Sequence, residues 1–283
     1  MRHHAFWFLP IAVAAILIEA LLYRRRLGKS YPWKDSGLSL LVAAGHNLSQ
    51  LAGRALLGGV YAYAWNHRLF TVPLHGALGW AGLFLGVEFL YYWEHRLSHR
   101  VRWLWATHAV HHSPQELTLA AALRLGWTGP FSGGGLLYLP LVLLGLHPLA
   151  IFAALGLSLV YQFWLHTRMV PRLPGFDRIF NSPSNHRVHH ACNPEYLDKN
   201  FGGVLMVFDR VFGTYAAERE IPCRYGLLTP QNSVNPLVVA LDEWRRLLRD
   251  AARASGWRAV LLTLFGRPSA AALPNPVPTG TSV

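Results

Sequence analysis

The chain has 283 residues, of which 52% are hydrophobic and only 14% are charged. Soluble domains carry about 25% charged residues, so the composition argues against an ordinary soluble enzyme. The net charge of +12 is better explained by an anionic membrane surface than by a nucleic acid, because the chain lacks a soluble basic domain. Its two cysteines exclude a disulfide scaffold and a zinc finger of the four-cysteine type.

The N-terminal 36 residues combine an apolar run with a basic cluster. The run covers residues 5–22 and is followed by Arg24, Arg25 and Arg26. An apolar run of this length predicts a membrane-spanning helix. The positive-inside rule places the arginines in the cytoplasm and the N-terminus on the other side.

Three further apolar stretches follow, at residues 37–65, 77–93 and 131–166. The last contains a break at residues 145–148, which predicts a hairpin with two halves that are short for full spans. A tilted or partly re-entrant hairpin fits such lengths. We therefore expect an all-α integral membrane protein with about four transmembrane helices or two hairpins.

The chain becomes mixed in character after His166, which predicts a cytoplasmic helical cap. Near the C-terminus, leucines and Trp244 alternate with arginines, as in an amphipathic helix that lies on lipid headgroups. The tail is rich in Pro, Ala and Thr and is expected to be disordered. The predicted parts are residues 1–36, a membrane and cap domain at 37–236, an amphipathic segment at 237–267 and the tail at 268–283.

Nine of the 15 histidines occur in a pattern suited to metal binding. The first two lie four residues apart, which places them on one face of a helix. Two later H-x2-H-H windows bring three rings to one side of a helix, where the adjacent pair can serve neighbouring metals. A single histidine ends the predicted hairpin. The nine candidate ligands are His95, His99, His108, His111, His112, His166, His186, His189 and His190.

Nine imidazoles are too many for one ion, because a zinc site takes about four ligands. The count therefore predicts two metals. Imidazole binds iron, copper, nickel and zinc, so the ligands alone do not choose the element. The chain has neither E-x-x-H nor H-E-x-x-H, which argues against a carboxylate di-iron bundle and a zincin protease. A metal pair held by histidines at a membrane surface suits oxygen activation and attack on an unactivated C–H bond.

Two charged residues near these motifs have alternative interpretations. Glu88 shares a helical stripe with His95, and it either orients a ligand imidazole or is a buried acid paired with Arg54 or another cation. Arg124 either contacts a lipid phosphate or serves as a positive-inside anchor, and we favour the anchor.

Three residues of the predicted cap also need a decision. Asn200 either orients ligands or shapes the cap, whereas Asp209 is expected to be structural, since Asp and Asn near turns are commonly capping residues. Cys192 follows His190 closely but is expected to be structural or incidental, because the imidazoles already suffice. We name Glu88 and Asn200 as candidate catalytic residues.

A series of motifs between residues 87 and 215 carries a family resemblance. The motifs are YWEHR at 92–96, WATHAVHHS at 105–113, ALR at 122–124, QFWLHT at 162–167, NSPSNHRVHH at 181–190, LDKNFGG at 197–203 and FDRVFGTY at 208–215. Together they resemble the fatty acid hydroxylase and sterol desaturase superfamily of membrane di-iron oxygenases. The segment after His112 looks like the alkylglycerol monooxygenase branch and its bacterial relatives, although Thr118 and Ala120 depart from that branch.

The resemblance implies that the nine histidines bind two iron ions and that O2 is a co-substrate. It implies hydroxylation of a C–H bond in a lipid by a multi-pass membrane enzyme. We expect a bacterial inner membrane protein with its metal site on the cytoplasmic side and without a nucleic-acid partner. The sequence has no flavin, haem or pyridine-nucleotide motif, so the electrons are expected from a reductase, a ferredoxin or a reduced pterin.

Three alternatives stay open at this point. A lipid or sterol desaturase could use the same site, since both reactions begin by removing one hydrogen. A non-catalytic membrane metal-binding protein, such as a transporter or store, is the second. A zinc-dependent membrane hydrolase is the third, and it would need a carboxylate as acid and base among the ligands.

Overall fold

The computed structural model describes residues 4–268, with side chains from residue 10 onward. In this range the chain is helical, and its only β-structure is two isolated bridges. The α-helices are α1 (His4–Leu27), α2 (Trp33–Asn66), α3 (Gly76–Arg100), α4 (Arg102–His112), α5 (Leu139–Leu143), α6 (Pro148–Phe163), α7 (Pro183–His190), α8 (Val207–Val211), α9 (Pro236–Arg253) and α10 (Trp257–Phe265). The predicted all-α class is confirmed.

The first three apolar stretches of the sequence fall on α1, α2 and α3. Over the residues that can be described, none of the helices is both long enough and apolar enough to cross a membrane. The predicted number of spans and their orientation therefore stay predictions.

The predicted hairpin breaks where the sequence indicated, but its first half is not one helix. Gly145 has φ of 102°, and an added Cβ would overlap the backbone of Phe70, so the turn requires glycine. The side chain of His147 then accepts the N–H of Leu149 at 3.2 Å and caps α6. Before the break the chain forms short 3₁₀ turns and α5 instead of one helix, because the three glycines at 133–135 have low helix propensity.

A hydrophobic core joins α2, α3, α5 and α6. Its buried residues include Tyr61, Leu83, Val87, Val142 and Ile151. This packing fixes the N-terminal halves of α3 and α6 relative to each other. Candidate ligands lie at the C-terminal end of α3, and His166 lies three residues beyond the end of α6.

The helix α7 is short and entirely buried. Ser182 caps it by accepting the N–H of Asn185 at 3.3 Å, and Pro183 occupies the first turn, where no N–H is needed. Burial on every side holds the three histidines of this helix inside the molecule.

The amphipathic segment forms two helices, α9 and α10, because the chain turns at Gly256 with φ of 83°. Part of the apolar face of α9 is already covered, since Val239 packs with Leu38, Val42 and Val110 of α2 and α4. Other apolar side chains of these helices are exposed. The predicted tail lies outside the described residues, apart from Pro268.

Candidate metal centre

The structure brings all nine candidate histidines together. They form a five-histidine group of His95, His99, His108, His112 and His189, and a four-histidine group of His111, His166, His186 and His190. Within each group the ligand atoms lie within 4.8 Å of one another. The adjacent pairs 111/112 and 189/190 are divided between the groups, as the H-x2-H-H spacing indicated.

Neighbouring Nε2 atoms within each group are as close as two ligands of one ion. In the five-histidine group, His108 lies 3.1 Å from His95 and 3.2 Å from His112. In the four-histidine group the spacings are 3.2 Å for His111 and His166, 3.0 Å for His166 and His186, and 3.0 Å for His186 and His190. Metal–nitrogen bonds of about 2.0–2.1 Å place adjacent ligand atoms about 3 Å apart, so the groups fit one ion each.

Three ring nitrogens of the cluster are buried without a hydrogen-bond partner among the described residues. They are Nε2 of His99, Nε2 of His189 and Nδ1 of His186. An unsatisfied buried polar atom destabilises a fold by about 1–3 kcal/mol. A bound ion would satisfy the two Nε2 atoms directly.

Backbone carbonyls orient four of the rings. Each of these rings donates from Nδ1 to a carbonyl oxygen, which leaves Nε2 with its lone pair free for a metal. The pairs are His95 with Phe201 at 2.8 Å, His111 with Arg124 at 3.3 Å, His166 with Gln162 at 2.9 Å and His189 with Lys199 at 3.0 Å.

Burial keeps the histidines of α4 and α7 neutral. It lowers the pKa of His111 to about 4 and holds the pKa values of His186, His189 and His190 well below their ordinary value. Neutral imidazole is the form that binds metals, so these rings are in the binding state near pH 7.

Glu88 is buried but does not contact the rings. Its carboxylate accepts the hydroxyl of Ser158 at 2.6 Å and the N–H groups of Val204 at 2.7 Å and Leu205 at 3.0 Å. The predicted pairing with Arg54 or another cation is therefore wrong for the part of the chain described. Glu88 instead holds the segment 199–205, which we name the carbonyl loop because it supplies the carbonyls that orient His95 and His189.

Asn200 and Asp209 hold the other end of the carbonyl loop. Asn200 has φ of 59°, a conformation that asparagine tolerates better than most residues. Its amide donates to the carbonyls of Asn185 and Ala216 at 2.9 and 2.7 Å. The carboxylate of Asp209 accepts the N–H groups of Phe201 and Gly202, both at 2.7 Å. Asn200 thus helps to position the rings by holding the carbonyl loop in place. Its assignment as a catalytic residue stays a prediction.

Arg124 is only 2% exposed, so both roles predicted for it, lipid phosphate contact and membrane anchor, are wrong. Its guanidinium donates to Ser39 and Ser113 and pairs with Asp35 of α2. The backbone carbonyl of Arg124 accepts a hydrogen bond from Nδ1 of His111. The side chain therefore locks a segment that orients one ring.

Sequence reasoning missed two acids near the four-histidine group, the buried Glu19 and the half-buried Glu218. Glu19 of α1 accepts the hydroxyl of Thr167 and the N–H of Leu119. Glu218 pairs with Arg187 of α7 at 2.7 Å. A lone acid inside the first apolar run was the available signal for Glu19, whereas no local pattern singles out Glu218.

A cavity of about 390 Å³ opens onto the cluster. Rings of both groups line it, namely those of His99, His112, His189 and His190. A small molecule can therefore approach the proposed metals from this side. Cys192 also lines the cavity, but it belongs to neither histidine group.

Comparison with known proteins gives a consistent result. Residues 80–214 match the fatty acid hydroxylase family. The chain is 37% identical to alkylglycerol monooxygenase from Homo sapiens over 81% of this chain and 52% of the relative. It is 40% identical to alkylglycerol monooxygenase from Danio rerio, over 78% of this chain and 49% of the relative. It is 27% identical to ornithine lipid hydroxylase OlsE from Rhizobium tropici, over 75% of this chain and 68% of the relative.

The chain spans about half the length of the alkylglycerol monooxygenases it matches. No solved structure matches it. The matched family segment contains all nine histidines and the carbonyl loop.

Proposed function

We propose that the chain, whose residues 80–214 match the fatty acid hydroxylase family, is a member of that family and a membrane oxygenase that hydroxylates a C–H bond of a lipid. The named relatives act on an alkylglycerol and an ornithine lipid, which supports a lipid substrate. The observation that carries the proposal is the convergence of nine buried or half-buried histidines into two groups with metal-ligand spacing.

The five-histidine and four-histidine groups would each hold one iron ion. Two irons bound there would supply the redox chemistry for O2 reduction and C–H cleavage. The chain contributes neutral ligands, carbonyls that fix their Nε2 atoms towards the ions, and burial that limits water at the site. An all-nitrogen donor set in two close groups fits such a pair.

The overall reaction consumes the lipid C–H bond, O2, two electrons and two protons, and gives the lipid alcohol and water. We assign the electrons to an external donor, a reductase, a ferredoxin or a reduced pterin, because the sequence lacks a redox-cofactor motif. We place the enzyme in a bacterial inner membrane with its metals on the cytoplasmic side, which the basic residues after the first apolar run support.

The test compares lipids from a host with and without the gene, and iron in the purified protein. We expect a lipid heavier by one oxygen atom and about two irons per chain. His189→Ala should lower the iron content and abolish the product, because it removes a ring of the five-histidine group. His75→Ala is the matched control, since His75 is exposed and lies outside both groups.

Two results would decide against the proposal. A product that forms without O2 would indicate hydrolysis rather than oxygenation. Full iron content and activity in His189→Ala would show that the five-histidine group is not the reaction centre. A lipid lighter by two hydrogens would instead identify a desaturase on the same site.

A further inference from the structure

The cavity beside the cluster has a chemistry that the metals do not explain. Its lining includes His99, His112, His189 and His190. The lining also contains Trp105, whose ring centroid lies 5.3 Å from that of His99, and apolar side chains at Leu197, Leu227 and Leu228. A ligand in this space would thus touch both apolar surface and the imidazole cluster.

The remaining lining is strongly charged and mostly positive. Five arginines face three acids, which leaves two positive charges. The arginines are Arg100, Arg102, Arg246, Arg249 and Arg267, and the acids are Asp198, Glu243 and Asp250.

Three acids are too few to neutralise five arginines one by one. Arg100 pairs with Asp198 at 3.1 Å. Asp250 pairs with both Arg102 and Arg249. Arg246 pairs with Asp242, which itself is shared with Arg245 and does not line the cavity. The cavity therefore offers guanidinium groups with donors left over, and guanidinium groups bind phosphate well because their N–H donors match its oxygens.

We propose that this cavity binds the anionic headgroup of the lipid substrate, with the first part of its chain directed towards the histidine cluster. The proposal rests on the proposed function and specifies its substrate class as a lipid with a phosphate or similarly anionic head. A cavity of about 390 Å³ holds a headgroup and a short part of a chain, so the oxidised carbon lies near the polar end of the lipid. The reaction still takes its two electrons from the external donor and its two protons from solvent.

The test uses photolabelling of the full chain in phosphatidylcholine nanodiscs. One probe is an alkyl phosphate with a diazirine near the headgroup, and the second is the same chain ending in a neutral hydroxyl. We expect the phosphate probe to label the cavity segment 226–229 or Trp105 at least fivefold more than the neutral probe. Peptide mass spectrometry reads the labelled positions and needs neither iron nor O2.

A pair of double variants on α9 provides the matched comparison. R246Q/R249Q removes two arginines that line the cavity, and labelling by the phosphate probe should fall at least fivefold. R245Q/R253Q removes the same charge from exposed positions of the same helix that do not line it, and labelling should be retained. The neutral probe should respond to neither pair.

Three results would overturn the inference. Equal labelling by the two probes would remove the preference for an anionic head. An equal fall in phosphate-probe labelling in both double variants would show that the general surface charge, and not the cavity, attracts the probe. If inorganic phosphate competes with the probe as well as unlabelled alkyl phosphate does, the cavity binds a free anion rather than a lipid.

The inference and the proposed function fail separately. Selective labelling without any oxygenated lipid contradicts the oxygenase function and leaves the cavity as an anionic lipid site. Oxygenated lipid formed without selective labelling contradicts the cavity assignment alone.

Discussion

Asp209 shows how a single residue can control the metal centre without touching it. Its two oxygens accept the N–H groups of Phe201 and Gly202, and the carbonyl of Phe201 orients His95. Asp209→Asn keeps the size but turns an amide N–H2 towards an N–H donor. We expect a loss of about 2–3 kcal/mol in the free energy of unfolding, together with lower iron content, measured by denaturation and metal analysis.

Thr214→Val is the graded control for that change. It removes the hydroxyl that donates to Asp209 and that also contacts the Tyr92 hydroxyl at 3.0 Å, and it leaves both backbone contacts of the carboxylate in place. A loss near 1 kcal/mol with full iron content is expected. If Asp209→Asn also kept full iron content, the carbonyl loop would not be what orients the ring.

The sequence could predict some of the residues in this network but not their hydrogen-bond partners. The helical stripe shared with His95 marks Glu88 as a candidate, and the motif at 197–203 marks Asn200, whereas Asp209 is expected to be structural. Their partners are distant in sequence, however, and Glu88 meets Val204 across 116 positions. Only the folded chain shows that all three hold one loop.

Among the helices, α2 has one glycine that packs closely against another segment and one that faces open space. A methyl group on Gly53 would overlap the ring of Pro130, which cannot move away as a flexible side chain could. We expect Gly53→Ala to destabilise the protein by about 1–3 kcal/mol. The measurement is the free energy of unfolding in detergent.

Gly58 offers the matched control on the same helix, because a methyl group there has nothing within 4 Å. Gly58→Ala should stabilise the protein by up to about 1 kcal/mol through helix propensity. Changes of the same sign in both variants would show that the packing of α2 against the chain near Pro130 does not contribute as described.

The elements that the sequence predicted well are those governed by local pattern. Periodicity and length indicated α1, α2 and α3, and the spacing of His108, His111 and His112 indicated that adjacent rings serve different groups. The first half of the hairpin was not predicted, because an apolar run does not distinguish a continuous helix from short 3₁₀ turns. The turn at Gly256 was missed for a similar reason, since one glycine rarely decides where a helix ends.

At the scale of the whole molecule, the histidine cluster joins parts of the chain that are far apart. Its rings come from α3, α4, α7 and the segment just after α6. Ions bound to both groups would therefore crosslink these parts in the folded state only. Since a ligand that binds only the folded state stabilises it, removal of metal should lower the melting temperature.

The metal-free protein should also become less stable as the pH falls. In the unfolded chain these histidines titrate near pH 6.5, whereas burial lowers the pKa of His111 to about 4 and keeps those of His186 and His190 well below 6.5. Between these values the unfolded chain binds protons that the folded chain cannot, so stability present above about pH 6.5 is lost on acidification. Each such ring contributes a slope of about 1.4 kcal/mol per pH unit.

The metal-free His190→Asn variant tests this dependence. After chelation, its free energy of unfolding should change with pH by about that amount less per pH unit than in the unchanged protein, and His75→Ala should leave the slope unchanged. A flat profile between pH 6.5 and 4 would mean that the rings are hydrated in the absence of metal, and that the cluster depends on its ions to stay buried.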